Sequence, residues 1–351
     1  MSAFCITENV ALAPRTTLEL GGNAEHFVEA TDDAHVVEAI RFAEAKRLPI
    51  TVLGGGSNVL VSDRGVRGVV VAMRSRGVSK KDDGHNVCFE LTAGESWDDF
   101  VANAVGEGLS GVETLSGIPG LVGATPIQNV GAYGSEIADT LERVTALDRL
   151  TKSTVTFSRA ECEFRYRDSM FKRTPDRYVV LRVTFRLSRT KPGAPRYAEL
   201  QRALAARSAT PSVADIRETV LTLRRSKSMV IDANDPNRRS AGSFFLNPIV
   251  SKQEAARIAS THDGLPQFEQ EDGRVKLAAA WLIEKSGITK GMRRGHVGVS
   301  TNHALALVHH GGGRAEELLL FAREIRAAVQ SRFGVTLVPE PVLLGFDSSA
   351  L

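Results

Sequence analysis

The stretch Ile118-Pro119-Gly120-Leu121-Val122-Gly123-Ala124-Thr125-Pro126-Ile127-Gln128-Asn129-Val130-Gly131-Ala132-Tyr133-Gly134 follows neither a helical nor an alternating period. It reads as ordered loop with short helical turns. It lies in a window of 29 residues that holds eight glycines, Gly106, Gly108, Gly111, Gly117, Gly120, Gly123, Gly131 and Gly134. Glycine lowers the cost of positive φ and lets backbone approach a ligand closely, while weakening regular elements. A packed core has little use for such clustering; a ligand cradle does. From Ser116 and Gly117 onward, successive backbone N–H groups form a concave donor array suited to a pyrophosphate. Asn129 adds a side-chain amide and Tyr133 an aromatic ring.

An earlier loop, Gly54-Gly55-Gly56-Ser57-Asn58, follows a short apolar strand at 50–53. It is not a P-loop, which requires a Lys-Ser/Thr pair and a helix behind the last glycine. Nor does it have the G-x-G-x-x-G spacing of a Rossmann fingerprint, and strand material follows it. Alone it is a tight turn. Paired with the second loop, it predicts a cradle for a long dinucleotide built without a Rossmann helix.

Outward from these loops the chain alternates helix and strand. Thr31 is placed to cap a helix apolar at Val36, Val37, Ile40 and Ala43, stopped by Pro49. Strands are predicted at 59–61, 69–71 and 87–91, and a helix at 97–105 capped by Ser96. Strands at 144–147, 154–157 and 179–187 follow, the last with clean alternation. Residues 190–195 read as a linker. Beyond it come helices at 213–223 and 278–285, a strand at 304–309, a helix at 315–333 with Leu318, Phe321, Ile325 and Val329 in one stripe, and closing strands at 335–338 and 342–344. The predicted domains are 1–190 around the glycine loops, 191–240 as linker and substrate loop, and 241–351 as a substrate domain.

Composition narrows the class. Of 351 residues, 42% are hydrophobic and 24% charged, as in ordinary globular chains. A net charge of +3 is too balanced for a general polyanion binder, so no nucleic-acid partner is expected. The first twenty residues lack a signal peptide's apolar run, and no segment approaches the roughly 18 apolar residues of a spanning helix. Cys5, Cys88 and Cys162 have neither disulfide-framework nor metal spacing, and the histidines show no ligand pattern, so no metal is expected. A cytoplasmic enzyme with reduced thiols, acting as a monomer without a membrane partner, is the expectation.

The two glycine loops, with Leu53 and Val59-Leu60 flanking the first, closely resemble those of the UDP-N-acetylenolpyruvoylglucosamine reductases (MurB). The resemblance continues at Tyr166-Arg167-Asp168-Ser169, at Ala241-Gly242-Ser243-Phe244-Phe245-Leu246-Asn247-Pro248 and at Pro339-Glu340, in order along nearly the whole chain. It implies an α+β fold: an FAD-binding domain of the PCMH/vanillyl-alcohol-oxidase type in two subdomains, then a MurB-type C-terminal substrate domain. It further implies NADPH-driven reduction of UDP-N-acetylglucosamine enolpyruvate to UDP-N-acetylmuramate. FAD is expected to be non-covalent, because neither loop contains a His or Cys. Gly54, Gly55, Gly56, Ser57, Asn58, Ser116, Gly117, Ile118, Pro119, Gly120, Gly123, Ala124, Asn129, Gly131 and Tyr133 are then the cofactor-binding candidates.

Such a reaction needs donors at the substrate carboxylate, a proton source at C2 and an anion site for the diphosphate. Arg165 and Arg167, two apart, are read as sharing a strand face, one pairing with Asp168 or Glu163; without the resemblance, Arg167 is as well a surface charge. By resemblance, Arg167 stabilises the enolate. Ser243 by itself is a buried hydroxyl bonded to its own backbone; by resemblance it is the general acid to C2. Glu340, held extended by Pro341, is an exposed turn residue or, by resemblance, assists protonation. Tyr197 is a locally packed loop tyrosine or the tyrosine of a mobile loop found in one subtype. Lys227 matches a phosphate-binding lysine, but 228–237 is longer than the family pattern, so Arg224 shares that candidacy. Asn247 is a candidate polar substrate contact. Two other readings remain: another oxidase of the same flavin superfamily, and a non-catalytic flavin sensor.

Overall fold

The computed structural model describes residues 4–190, 192–193, 195–207, 210–347 and 350–351. Lys191 and Ala194 of the predicted linker lie outside the described residues.

The chain forms two compact units whose segments interleave. The first takes the residues up to Val10, Ala24–Gly55 and Arg67–Ile231; the second takes Ala11–Asn23, Gly56–Val66 and the chain from Asp232 onward. Residues 192–231, set apart by the sequence reading, group with the first unit, and the division passes between Gly55 and Gly56.

The first unit holds two sheets. In one, the strands run in the order Thr7–Ala11, Asn23–Ala30, Val66–Met73, Ile50–Leu53, with the last two parallel. Helix α1 (Asp33–Lys46) buries Val36, Ala39, Ile40 and Ala43 against it. The cap is Asp32, whose carboxylate accepts from the His35 N–H at 2.9 Å, and not the neighbouring Thr31. An acidic cap also complements the positive end of the helix dipole. The second sheet is antiparallel: Ser153–Ser158, Leu141–Asp148, Tyr178–Ser188, Asn86–Thr92, Val78–Asp82. Helix α2 (Trp97–Gly106), capped by Ser96 as expected, places Trp97 and Phe100 on Phe185 of the central strand. Helix α3 (Met170–Arg173) is a single turn. Helices α4 (Ala198–Ala205) and α5 (Val213–Arg225) form a hairpin through Leu200, Leu204, Ile216 and Val220.

The second unit carries the largest apolar cluster. Helix α8 (Ala315–Phe333) packs on the antiparallel sheet Ser240–Ser243, Ala306–His309, Val297–Val299, Arg293–Arg294; helix α7 (Ala279–Lys285) packs on α8, and helix α6 (Lys252–Ala259) on the strand Val275–Leu277 of a separate three-stranded sheet. The predicted stripe Leu318, Phe321, Ile325, Val329 is buried to 2% exposure or less, so the 3.6 period alone located this core face. Residues 335–338 are a correction: they form no named strand. Val335 and Leu337 are buried and alternate with exposed Thr336 and Val338, but the segment meets Phe245 only through one isolated bridge at Pro339. Proline has no N–H to extend a ladder. Val342–Leu344 does form a strand, parallel to Val59–Val61.

Candidate functional site

In the first unit, Ile50–Leu53 delivers Gly54 and Gly55 to the edge of the second loop. A Cβ on Gly55 would lie 2.8 Å from the Gly120 Cα, so the two loops touch backbone to backbone where only glycine fits. The second loop is pinned to the start of α2: the Trp97 N–H donates to the Gly120 carbonyl at 3.1 Å and the Val122 N–H to Glu95 at 2.8 Å. The Gly123 N–H donates to the Ala93 carbonyl at 2.9 Å, and the Ala124 N–H closes a turn onto Leu121. Gly117 has φ of +71°, and its N–H donates to Asp98 at 2.6 Å. Asp98 in turn takes a bidentate pair from Arg217 on α5, at 2.7 and 3.1 Å. Ile118, Pro119, Gly120 and Gly54 are half-buried beside this contact, and Ala124 is exposed. Ser116 is fully buried, and its hydroxyl donates to the Glu113 carbonyl at 2.6 Å. It shapes the loop from within.

Asn129 is likewise committed to the protein. Its φ is +45°, its amide donates to Glu136 at 2.6 Å and to the Arg165 carbonyl at 3.1 Å, and its oxygen accepts from the Ala138 N–H. That lock sets the path of the backbone through Gly131 to Tyr133. Arg167 does not lie on a strand. Arg165 and Asp168 exchange two backbone hydrogen bonds, and Tyr166-Arg167 form the tip of a tight hairpin, Arg167 at φ of +52°. The turn swings the guanidinium onto the other loop, where it donates to the Gly131 carbonyl at 2.7 Å. The expected partners Asp168 and Glu163 are both taken by Arg173.

Around Tyr133 the candidates converge. Tyr197 meets it edge-on at 5.5 Å and 89°. Burial, ahead of any neighbouring charge, pushes the Tyr133 hydroxyl up to about 12, partly opposed by Arg224. Arg224 sits in the last turn of α5, donates to the Met229 carbonyl at 2.6 Å and keeps a buried Nε without a hydrogen-bond partner. Its pKa lies below the ordinary arginine value, first because of burial, yet a guanidinium stays charged. Lys227, just past α5, pairs with Glu199 of α4 at 2.6 Å. Glu199 was not singled out from sequence, because nothing local marks an exposed helix glutamate as the partner of a lysine 28 residues on.

The second unit holds the remaining candidates. Gly56 has φ of +69°, and its carbonyl accepts from the Thr17 N–H at 3.1 Å. Ser57 and Asn58 are half-buried, and the Asn58 amide donates to the Glu340 carbonyl at 3.3 Å. Glu340 is placed by its N–H, which donates to the Phe244 carbonyl at 2.9 Å, one residue from Ser243. The strand Ser240–Ser243 is broken by a bulge at Gly242 (φ +71°), after which the chain leaves Ala306 for the Pro339 segment. Ser243 and Glu340 are thereby brought together across that change of partner, both half-buried, above the fully buried Phe244 and Phe245. Asn247 does not join them through its oxygen, which accepts from the Ala279 N–H at 2.9 Å and caps α7.

Comparison with known proteins bears on the family and the fold. A family model described as FAD binding domain matches residues 24–155. A second, the UDP-N-acetylenolpyruvoylglucosamine reductase C-terminal domain, matches residues 235–344. The UDP-N-acetylenolpyruvoylglucosamine reductase of Thermobifida fusca is 49% identical over 347 residues, covering 96% of this chain and 97% of its own. This chain belongs to the UDP-N-acetylenolpyruvoylglucosamine reductase family. The reductase of Pseudomonas aeruginosa is 42% identical over 341 residues, covering 96% of this chain and 98% of its own. The crystal structure of the Thermus caldophilus reductase superposes with a TM-score of 0.67 at 26% identity, covering 97% of this chain and all of that one. The fold is therefore an FAD-binding domain of the PCMH/vanillyl-alcohol-oxidase type with a reductase-type C-terminal domain, as expected from sequence. The glycine contact between Gly55 and Gly120 fits the close backbone approach that an FAD diphosphate needs.

Proposed function

We infer that this reductase uses FAD and NADPH to convert UDP-N-acetylglucosamine enolpyruvate to UDP-N-acetylmuramate, a step of peptidoglycan precursor synthesis. The observation that carries the reading is the hydrogen bond from the Glu340 N–H to the carbonyl of Phe244, the residue after Ser243, supported by the 49% identical relative of that name. The two glycine loops would hold FAD non-covalently, and the bound cofactor would supply hydride derived from NADPH to the vinyl carbon C3.

The chain's own residues handle charge and proton. Hydride addition leaves carbanion character at C2, delocalised into the carboxylate. The Ser243 hydroxyl, which makes no hydrogen bond among the described residues, is free to donate its proton to C2. The backbone of Glu340 is fixed at the N–H by the Phe244 carbonyl and at the carbonyl by the Asn58 amide, and its carboxyl is assigned to assist that protonation. Arg167, oriented by the Gly131 carbonyl, is assigned the substrate carboxylate, where a planar fork of donors suits two oxygens. Tyr197, Arg224 and Lys227 are assigned the UDP diphosphate. Asn247, whose oxygen is taken by the Ala279 N–H, is assigned a polar substrate contact through its amide nitrogen. The chain acts as a monomer in the cytoplasm under this reading; among the described residues no helix is long and apolar enough to cross a membrane.

An anaerobic two-step titration tests it. The purified yellow protein should bleach on adding NADPH and recover its flavin spectrum on adding UDP-N-acetylglucosamine enolpyruvate. No bleaching with NADPH, or no recovery with the enolpyruvyl ether, refutes the assignment.

A further inference from the structure

Helix α4 is held to the first unit by three contacts of different kinds. Its inner face rests on α5 through Leu200 and Leu204, both buried against Ile216 and Val220. Its leading residue Tyr197 leans edge-on against Tyr133 while remaining 43% exposed. Its first turn is tied down by the pair between Glu199 and Lys227, at 2.6 Å and about one-third exposed on either side. The last two of these contacts involve groups assigned to substrate, Tyr197 and Lys227.

An ammonium ion is a compact charge that attracts any nearby anion, and a carboxylate and a phosphate arriving at the same ammonium repel each other. Glu199 presents to Lys227 the same kind of anionic oxygen that a diphosphate would. A partly exposed pair of this sort is weak enough to be exchanged. Glu199 also loses little on release, because a first-turn glutamate remains favoured by the positive end of its own helix. Tyr197 is the N-cap residue of α4 and Glu199 lies in its first turn, so the ion pair to Lys227 is the polar tie nearest the backbone that carries the tyrosine.

We propose that Glu199 is a positioning residue that competes with the substrate diphosphate for Lys227, so that exchange of one anion for the other releases the turn carrying Tyr197. The proposal rests on the reading of Lys227 as a phosphate-binding residue. It makes Glu199 a brake on affinity: the carboxylate lowers the affinity for nucleoside diphosphates in general and couples binding to movement of Tyr197.

The test is equilibrium binding of UDP to the FAD-loaded enzyme, followed calorimetrically so that no turnover is involved. Glu199→Gln and Glu199→Ala should each lower the UDP Kd by about two- to fivefold, the range expected for removing a competing exposed pair. Lys227→Met should raise the Kd, and adding Glu199→Gln to Lys227→Met should change nothing further. If Lys227→Met leaves the Kd unaltered, the phosphate reading of Lys227 fails and this inference falls with it. If Lys227→Met weakens binding while the Glu199 variants bind UDP equally or less well than the wild type, the lysine reading stands and the competition is refuted. A glutamate that merely props α4 would weaken binding when removed, so the sign of the change separates the two roles.

Discussion

Gly54 and Gly55 are neighbours in one loop, both without positive φ, yet their surroundings differ in a way that sets opposite outcomes for the same substitution. A Cβ on Gly54 would sit 3.5 Å from the Ala124 Cβ, an ordinary van der Waals contact. A Cβ on Gly55 would sit 2.8 Å from the Gly120 Cα, closer than real Cβ atoms are found, and about 0.6 Å of backbone movement is needed to reach a normal 3.4 Å. Neither loop yields easily there: Gly120 is tied to α2 through Trp97, and Gly55 follows a strand paired with Val66–Met73. Overpacking of this kind costs about 1–3 kcal/mol. With about 2–4 °C of Tm per kcal/mol in units of this size, Gly55→Ala should lower the melting temperature of the apoprotein by roughly 2–12 °C. Gly54→Ala should change it by about 2 °C or less, since Gly→Ala also restricts the unfolded chain. Differential scanning fluorimetry of FAD-stripped protein reads both. A Gly55→Ala protein melting with the wild type, or a Gly54→Ala protein melting as low as Gly55→Ala, would refute the reasoning about loop contact.

Two further outcomes are expected. Ser243→Ala should leave flavin bleaching by NADPH intact and slow reoxidation by the enolpyruvyl ether by about 10²–10⁴-fold in stopped flow, the usual range for losing a general acid; equal slowing of both half-reactions would make Ser243 structural. His309 should make the protein acid-labile: its ring bridges the Leu18 carbonyl and the Gly313 N–H, and its pKa lies below the ordinary 6.5, first because of burial and then through Arg239. The unfolded chain therefore takes up the proton first as pH falls. The stability tied to the neutral ring is complete above about 6.5 and is lost below it, so urea melts from pH 7.5 to 5 should show a steeper decline for the wild type than for His309→Gln.

Periodic elements were legible in the sequence because their signals are local. The stripe on α8, the Ser96 cap and the strand at 179–187 need only neighbours within one or two turns and stand where expected, although that central strand is buried on both faces, Val180 and Thr184 included, and does not alternate cleanly. What escaped depends on distant partners. The dipeptide Tyr166-Arg167 offers no glycine to mark a hairpin, so Arg167 was placed on a strand; the turn is imposed by Arg165 and Asp168 pairing across it. The Asn247 oxygen accepts from the Ala279 N–H at the start of α7, 32 residues on, a partner that no local pattern announces. The meeting of Ser243 with Glu340 could be named through family resemblance alone, because nearly a hundred residues separate them and no spacing encodes the bulge at Gly242.

The interleaving of the two units also has a meaning for the ribosome. Leu18, Leu20 and Leu60 belong to the apolar cluster built mainly from residues beyond 240, and Val59–Val61 waits about 280 residues for its partner strand Val342–Leu344. During synthesis these segments emerge well before Val342–Leu344 and stay without that partner strand until it has been made. The second unit thus corresponds to no continuous stretch of message, and closing so long a loop is among the slower steps a chain can face. A fragment translated from Asp232 onward would begin life without one strand and three leucines of its own core.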